Sequence, residues 1–217
     1  MEDIVRQTVF DQCELIIINA NSPENEEEVI SPYLEEYPNI VYLKLDEDPG
    51  LYAVWNIAIK MSRGKYITNA NVDDRLSPCC YEKYMDALEE NPEIDLVYSD
   101  FLMTHKPNET FEKNSAKYEV RRINFSRKHM KDCLPGCNPM WRKTMHEKYG
   151  YFDEFFKCAG DWEMWCRAVS GGAIFLRIPE FYCLYYNSPR GLSTGPGQRK
   201  WIERDLIIEK YKYLWEE

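Results

Sequence analysis

Two hydrophobic periods alternate along the first hundred residues, and this alternation limits the fold more than any other feature of the chain. Glu14-Leu-Ile-Ile-Ile-Asn19 is a short isoleucine-rich run of the kind that forms a strand buried on both faces. Residues 4–9 before it carry apolar positions at helical spacing. After it, Asn21-Ser-Pro-Glu24 places Ser22 as an N-cap and Pro23 at the first helical position. Val29, Ile30, Tyr33, Leu34 and Tyr37 mark one face of the helix that follows. Residues 40–45 read as a second strand, 50–63 as a helix stopped at Gly64, and 65–71 as a third strand. Ser77-Pro78 opens a helix that Asn91-Pro92 closes, and 94–99 is a fourth strand. Such alternation predicts an α/β fold with a mostly parallel, Rossmann-like sheet flanked by helices. From 101 to 140 the pattern dissolves and assigns no element. Helices follow near 143–149 and 161–170, then a strand over 173–178, a Gly/Pro-rich loop over 187–197 and an amphipathic C-terminal helix. The expected organisation is a single domain over 1–217, with a ligand-binding half at 1–100 and a second half at 101–217.

Charge narrows the partners. With 37 acidic and 27 basic side chains the net charge is −10, which argues against nucleic acid or an anionic membrane as the main partner. The longest apolar run, Leu15 to Ile18, is too short to span a bilayer or to form a signal-peptide core. The eight cysteines then read as reduced thiols in a cytoplasmic protein. Cys133-Leu-Pro-Gly-Cys137 has the look of half a zinc site, without a second pair at suitable spacing. His105, His129 and His146 share no spacing and are assigned no chemistry.

In open α/β sheets ligands bind beyond the carboxyl ends of strands. Asn19 and Asn21, the stretch 46–48, and Asn71-Val72-Asp73-Asp74 all fall there. Two adjacent carboxylates after an amide suit a hard divalent cation that also holds phosphate oxygens; an ordinary Asp/Asn turn explains the same residues. The second focus is Gly160-Asp-Trp-Glu-Met-Trp-Cys-Arg167. An acid beside tryptophans can serve as a general base in a sugar site, or Asp161 can simply cap a core helix.

Taken in order, these stretches resemble a family. Arg6-Gln-Thr8, Glu14 to Ser22, Asp48-Pro-Gly-Leu-Tyr-Ala-Val-Trp-Asn-Ile-Ala-Ile59 and Gly64-Lys-Tyr-Ile-Thr-Asn-Ala-Asn-Val-Asp-Asp74 are similar to motifs of family 2 glycosyltransferases of the GT-A fold. The last resembles the DXD motif in an N-x-D-D form. Glu147-Lys-Tyr-Gly-Tyr-Phe-Asp-Glu154 and Gly160-Asp161 through Arg167 resemble the acceptor-side motifs. The resemblance covers roughly residues 2 to 195.

It implies a metal-dependent, inverting transfer of a sugar from a UDP- or GDP-sugar to a hydroxyl on a glycan, lipid-linked or protein-linked acceptor. Asp73 would ligate Mn2+ or Mg2+ bridging the diphosphate. Asn71 would lie against the ribose, Asp74 would support the metal or sugar, and Asn19 and Asn21 would stand at the nucleobase. Tyr52 and Asn56 would line the donor cleft, Asp161 would be the base, and Trp162 and Glu163 would meet the acceptor.

Several departures accompany the resemblance. The family's usual leading strand is not seen before residue 2, which implies a truncated or rearranged sheet, or an equivalent strand from elsewhere. Gly160 replaces the first acid of an E-D pair, and Asn187 stands near the place of a late histidine. They support an alternative: a GT-A-like domain that is catalytically incomplete and acts as a binding or partner-dependent module. The oligomeric state is left open.

Overall fold

The computed structural model describes residues 1–192 and 194–216. A short α1 (Glu2–Val5) and a 3-10 turn at Phe10–Gln12 lead into β1 (Leu15–Asn19). α2 (Glu26–Glu36) then returns the chain to β2 (Ile40–Lys44). The two strands pair in parallel from Leu15↔Ile40 to Asn19↔Lys44 and form a sheet of their own. α2 begins three residues later than Pro23 suggests. The Ser22 hydroxyl bonds the Glu26 carboxylate and accepts the Glu24 N–H, so it organises the turn before the helix rather than capping it.

α3 (Leu51–Met61) precedes β3 (Tyr66–Thr68), β4 (Arg75–Leu76), α4 (Cys80–Glu90) and β5 (Leu96–Thr104). The stretch without periodicity supplies β6 (Tyr118–Val120) and β7 (Met140–Arg142). α5 (Met145–Tyr149), α6 (Gly160–Ser170), β8 (Phe175–Tyr186) and α7 (Arg199–Tyr211) complete the chain. The larger sheet has the order β3-β7-β5-β8-β4, with β6 on β5.

This α/β sheet is mixed, which corrects the expectation of mostly parallel strands. Only β5 and β8 pair in parallel, while β3–β7, β5–β7, β4–β8 and β5–β6 are antiparallel. The reason lies in β6, β7 and the far end of β8, which come from polar and aromatic sequence with no strand period to register. β8 runs twelve residues because a bulge opposite Ser99 and Asp100 absorbs the Pro179-Glu180 step.

β5 shows how the sheet divides the interior. Leu96 and Tyr98 enter one core with Trp141, Phe152, Met164 and Trp165. Val97 and Phe101 enter the other, with Cys80, Tyr84 and Leu88 of α4. That is the two-residue alternation of a pleated strand. α7 is tied to this frame by a buried acid. Glu203 accepts backbone N–H groups of Lys157, Cys158 and Ala159 at 2.8, 2.8 and 3.0 Å and pairs with Arg199 at 2.7 Å.

His146 has a structural role. It is buried, accepts the Trp141 indole N–H at 2.9 Å and faces the Gly150 carbonyl through Nδ1 at 3.1 Å. A neutral ring with its proton on Nδ1 satisfies both contacts. Burial pushes its pKa down to about 4, against the Gly150 contact. The unfolded chain takes up this proton near pH 6.5 and the folded chain only near 4, so stability is expected to fall as pH drops through that interval. The loss should be about 3 kcal/mol. Asp74, whose pKa is pushed up to about 6, acts in the opposite sense over the same interval. The His146 contribution is therefore read as a difference: in urea unfolding at pH 7.0 and 4.5 the wild type should lose more stability, or gain less, than His146→Gln.

Candidate active site

Asp161 is placed by its neighbours at the start of α6. Gly160 is the first residue of that helix, and a Cβ there would meet the Tyr52 ring at 2.6 Å. The ring, fully buried, occupies that space, and its hydroxyl donates to Asp161 Oδ1 at 3.1 Å. Glycine in place of the first acid is therefore a packing requirement of this chain. The Cys133 thiol lies 3.8 Å from Asp161 Oδ2. Desolvation raises the pKa of Asp161; the Trp162 N–H at the helix start and the Tyr52 hydroxyl pull the other way. The result is a carboxylate more basic than a surface aspartate, held by one good donor.

The acidic pair beyond β3 splits by burial. Asp74 is 8% exposed. Its Oδ1 accepts the Tyr186 N–H at 3.1 Å, and its Oδ2 accepts Asn71 Nδ2 at 2.8 Å and Asn138 Nδ2 at 3.4 Å. Burial pushes its pKa up to about 6 against these donors. Asn71 also accepts from Asn69 at 3.0 Å. Asp73 is exposed beside Val72. Among the described residues no hydrogen bond or ion pair engages its carboxylate.

One loop touches both acids. Cys133 contacts Asp161, and Asn138 contacts Asp74. Five residues cannot carry their Cα atoms more than about 18 Å apart, and left-handed backbone at Gly136 (φ +68°) and Asn138 (φ +48°) bends the path. The Cys133–Cys137 spacing, read above as half a zinc site, thus serves a different purpose. Cys133 faces Asp161 while the Cys137 thiol lies 3.5 Å from Cys183. Sequence reasoning missed Asn138. The only signal available was the turn-forming Pro135-Gly136 just before it.

The other residues divide. Asn19 is buried at the end of β1; its Oδ1 accepts the Ser22 N–H at 2.8 Å, and among the described residues its Nδ2 makes no well-formed hydrogen bond, though the Tyr42 hydroxyl lies near the side chain. Asn21 is exposed in left-handed backbone (φ +56°). Asn56, Trp162 and Glu163 are turned into the interior instead of toward a cleft. Asn56 clamps the backbone of Phe152 through both its amide atoms and reaches Glu154. The Trp162 indole donates to the Met130 carbonyl at 2.8 Å. The Glu163 carboxylate is held by Arg167, Lys210 and Tyr211 at 2.9, 2.8 and 2.7 Å. These contacts satisfy buried polar groups that would otherwise destabilise the core.

The model of glycosyl transferase family 2 matches residues 1–149, well over half of the sequence. The chain belongs to that family. Among its relatives are the glycosyltransferase MJ1057 of Methanocaldococcus jannaschii (28% identical, covering 85% of this chain and 63% of the relative) and the minor teichoic acid biosynthesis protein GgaB of Bacillus subtilis (27%, covering 95% and 23%). The chain thus spans less than two thirds of either. Its fold is that of the S. aureus TarS fragment solved with UDP (TM-score 0.69, 13% identity, covering 97% of this chain and 65% of that one). It is also that of the mannosyltransferase PcManGT from Pyrobaculum calidifontis, solved with GDP-Man and Mn2+ (TM-score 0.68, 13% identity, covering 98% and 59%). The α/β fold is therefore GT-A. No helix among the described residues is long and apolar enough to cross a membrane.

A magnesium-like cation needs only one or two carboxylates when phosphate oxygens and water complete its shell. Among the described residues no group of three His, Cys, Asp or Glu is arranged to hold a metal. The uncommitted Asp73 therefore fits a cation that arrives with a diphosphate and not one caged by protein.

Two variants test the Asp161 environment. Gly160→Ala forces a methyl group against the Tyr52 ring and is expected to destabilise the fold by about 2 kcal/mol in chemical denaturation. Tyr52→Phe keeps the ring and removes the donor. It should raise the Asp161 pKa further in a carboxyl NMR titration, because it removes a donor to the charged form; an unmoved titration would show that the hydroxyl does not support the carboxylate.

Proposed function

We propose that this family 2 chain transfers a sugar, with inversion, from a nucleotide-diphosphate donor to a hydroxyl acceptor, with Asp161 as the general base. The observation that carries the reading is the desolvated Asp161 carboxylate, one short loop away from the Asn71–Asp74 corner. Residues 1–100 form the donor half in this reading and 101–217 the acceptor half, within one domain. Asn19, whose buried amide N–H2 makes no well-formed hydrogen bond among the described residues, is suited to a nucleobase carbonyl. Asn71 stands at the ribose, and Asp73 beside the diphosphate.

The carboxylate of Asp161 takes the proton of the acceptor hydroxyl as its oxygen bonds to the anomeric carbon. The bond from that carbon to the diphosphate oxygen breaks, and the nucleoside diphosphate leaves with the electron pair. Base catalysis of this kind contributes about 10²- to 10⁴-fold. Mn2+ or Mg2+, held by Asp73 and the donor, would supply neutralisation of the leaving diphosphate. The TarS fragment with UDP and the mannosyltransferase with GDP-Man and Mn2+ support the donor class and the metal through the fold they share with this chain. GgaB, and the chondroitin synthase of Escherichia coli (26% identical, covering 97% of this chain and 35% of the relative), support a role in assembling glycan polymers.

A partner-dependent binding module is the second reading. It is favoured by one observation, the β1–β2 sheet that stands apart from the six-stranded one. Calorimetry with UDP- and GDP-sugars, with and without Mn2+, separates the two. Metal-dependent donor binding by the folded chain supports transfer; none at all leaves the module.

Asp161→Asn is expected to lower turnover at least about 10²-fold with donor affinity unchanged. Asp73→Ala should instead weaken donor binding only when metal is present. Because the working form of Asp161 is deprotonated and its pKa is raised, the rate should fall on acidification at a pH above the ordinary aspartate range. A flat rate profile down to pH 4 would remove Asp161 from the role of base.

A further inference from the structure

The chain is strongly acidic, yet residues 121–131 read Arg-Arg-Ile-Asn-Phe-Ser-Arg-Lys-His-Met-Lys, with five Lys/Arg and one His and no carboxylate. Arg121, Arg127, Lys128, His129 and Lys131 are exposed. Among the described residues Arg127, Lys128 and Lys131 have no carboxylate within ion-pair distance. The acids nearby are few. Glu119 pairs with Arg121 at 2.7 Å, buried Asp100 pairs with Arg177 at 2.6 Å, and Asp132 shares a surface cavity of about 200 Å³ with Arg121, Arg122, His129 and Leu134.

The inner side of this segment is a wall of the candidate site. The Met130 carbonyl accepts the Trp162 indole N–H, and Cys133 faces Asp161. The Arg122 guanidinium grips the carbonyls of Cys133 and Leu134, which fixes the cavity to the loop that spans the two acids. Like charges packed together on an otherwise acidic surface repel one another and are stabilised by an anion.

We propose that this strip binds an acceptor polymer carrying repeated negative charges, phosphodiester or carboxylate, and leads its terminal hydroxyl toward Asp161. The inference rests on the transfer reading above and adds the acceptor class. A polymer fits better than the two other common polyanions. A membrane surface calls for an apolar helix face beside the cations, whereas the helical part here is a five-residue 3-10 turn and the exposed large apolar side chain within the strip is Ile123. Single-stranded nucleic acid calls for exposed aromatic platforms, whereas Phe125 is packed on Phe175 against the core.

The test is binding of the full chain to a polyol-phosphate polymer, a polyuronate and uncharged dextran, read by calorimetry across a salt series. The charged polymers should bind, with affinity falling as salt rises, and dextran should not. The triple reversal Arg127→Glu, Lys128→Glu, Lys131→Glu is expected to weaken polymer binding by about tenfold or more, with UDP and GDP binding intact. The same change of charge placed elsewhere, in Lys60→Glu, Lys83→Glu, Lys106→Glu, should weaken it less.

Equal loss in the two triple variants, or dextran binding as well as the polyanions do, overturns the proposal. So does capture by anionic phosphatidylglycerol vesicles with no competition from the polymers. Whether the phosphate or the uronate polymer binds tighter names the charged group. The two readings fail separately. Turnover that survives Asp161→Asn removes the base assignment and leaves the strip. Absent polymer binding alongside transfer to a neutral glycan removes the strip and leaves the base.

Discussion

The position of Asp161 depends on how the first turn of α6 is held from two sides. Glu203, buried on α7, accepts three consecutive backbone N–H groups of residues 157–159, those immediately before the helix. Of these, the Ala159 N–H at the N-cap is one that a helix start leaves without an intrahelical acceptor; here the acceptor comes from an element more than forty residues away in sequence. On the other side the Tyr52 ring rests where a side chain of residue 160 would stand. Glu203 and Tyr52 are both buried, so the carboxylate between them is positioned by packing on two sides. α3, α6 and α7 therefore act together on one side chain, although only α6 carries it.

The charge pattern of the interior follows the same logic. Asp100, Glu163 and Glu203 are almost fully buried, and each meets an arginine: Arg177, Arg167 and Arg199 at 2.6, 2.9 and 2.7 Å. A paired buried acid adds little net stability over an apolar substitute, but removing one partner leaves an uncompensated charge. Such pairs constrain which elements can meet. Glu163 joins α6 to α7 through Lys210 and Tyr211. The Asp100 pair sits at the β5–β8 bulge, where strand pairing shifts by more than one residue. Asp161 differs from all three in having a phenol and a thiol for neighbours and no cation. Its basicity is raised by burial, which the phenol and the thiol offset only in part.

Much of this was legible in the sequence where hydrophobic period and turn chemistry agree. β1, β2, α3, α4, α6 and α7 fall where apolar spacing places them, and the family motifs located Asp161 and the 71–74 corner. The strands β6 and β7 were not legible, because three-residue strands in polar sequence carry no period, and their pairing partners lie far along the chain. Side-chain direction was the other gap. Trp162 and Glu163 follow Asp161 in the motif, yet helix geometry turns successive residues by about 100°, and these two point into the core. Asn56 looks like a cleft residue by its motif and is a buried clamp. Asn138, which reaches Asp74, could be found only through the tertiary fold.

The division between Asp73 and Asp74 shows how one turn can give two adjacent acids separate tasks. The chain bends at Val72 and Asp73 before it enters β4, and the two side chains part there. At the end of β3 one side is water and the other is the gap between β8 and the 133–138 loop, so the pair becomes one exposed and one enclosed carboxylate. Asp74 spends its oxygens on Tyr186, Asn71 and Asn138, fastening the turn to β8 and to the loop beside Asp161. Its raised pKa follows from that enclosure. Asp73 is exposed, and among the described residues no hydrogen bond or ion pair engages its carboxylate. A cation bound with a diphosphate at this corner would therefore meet one exposed carboxylate on a turn that its neighbour fastens, a division that a lone aspartate does not supply.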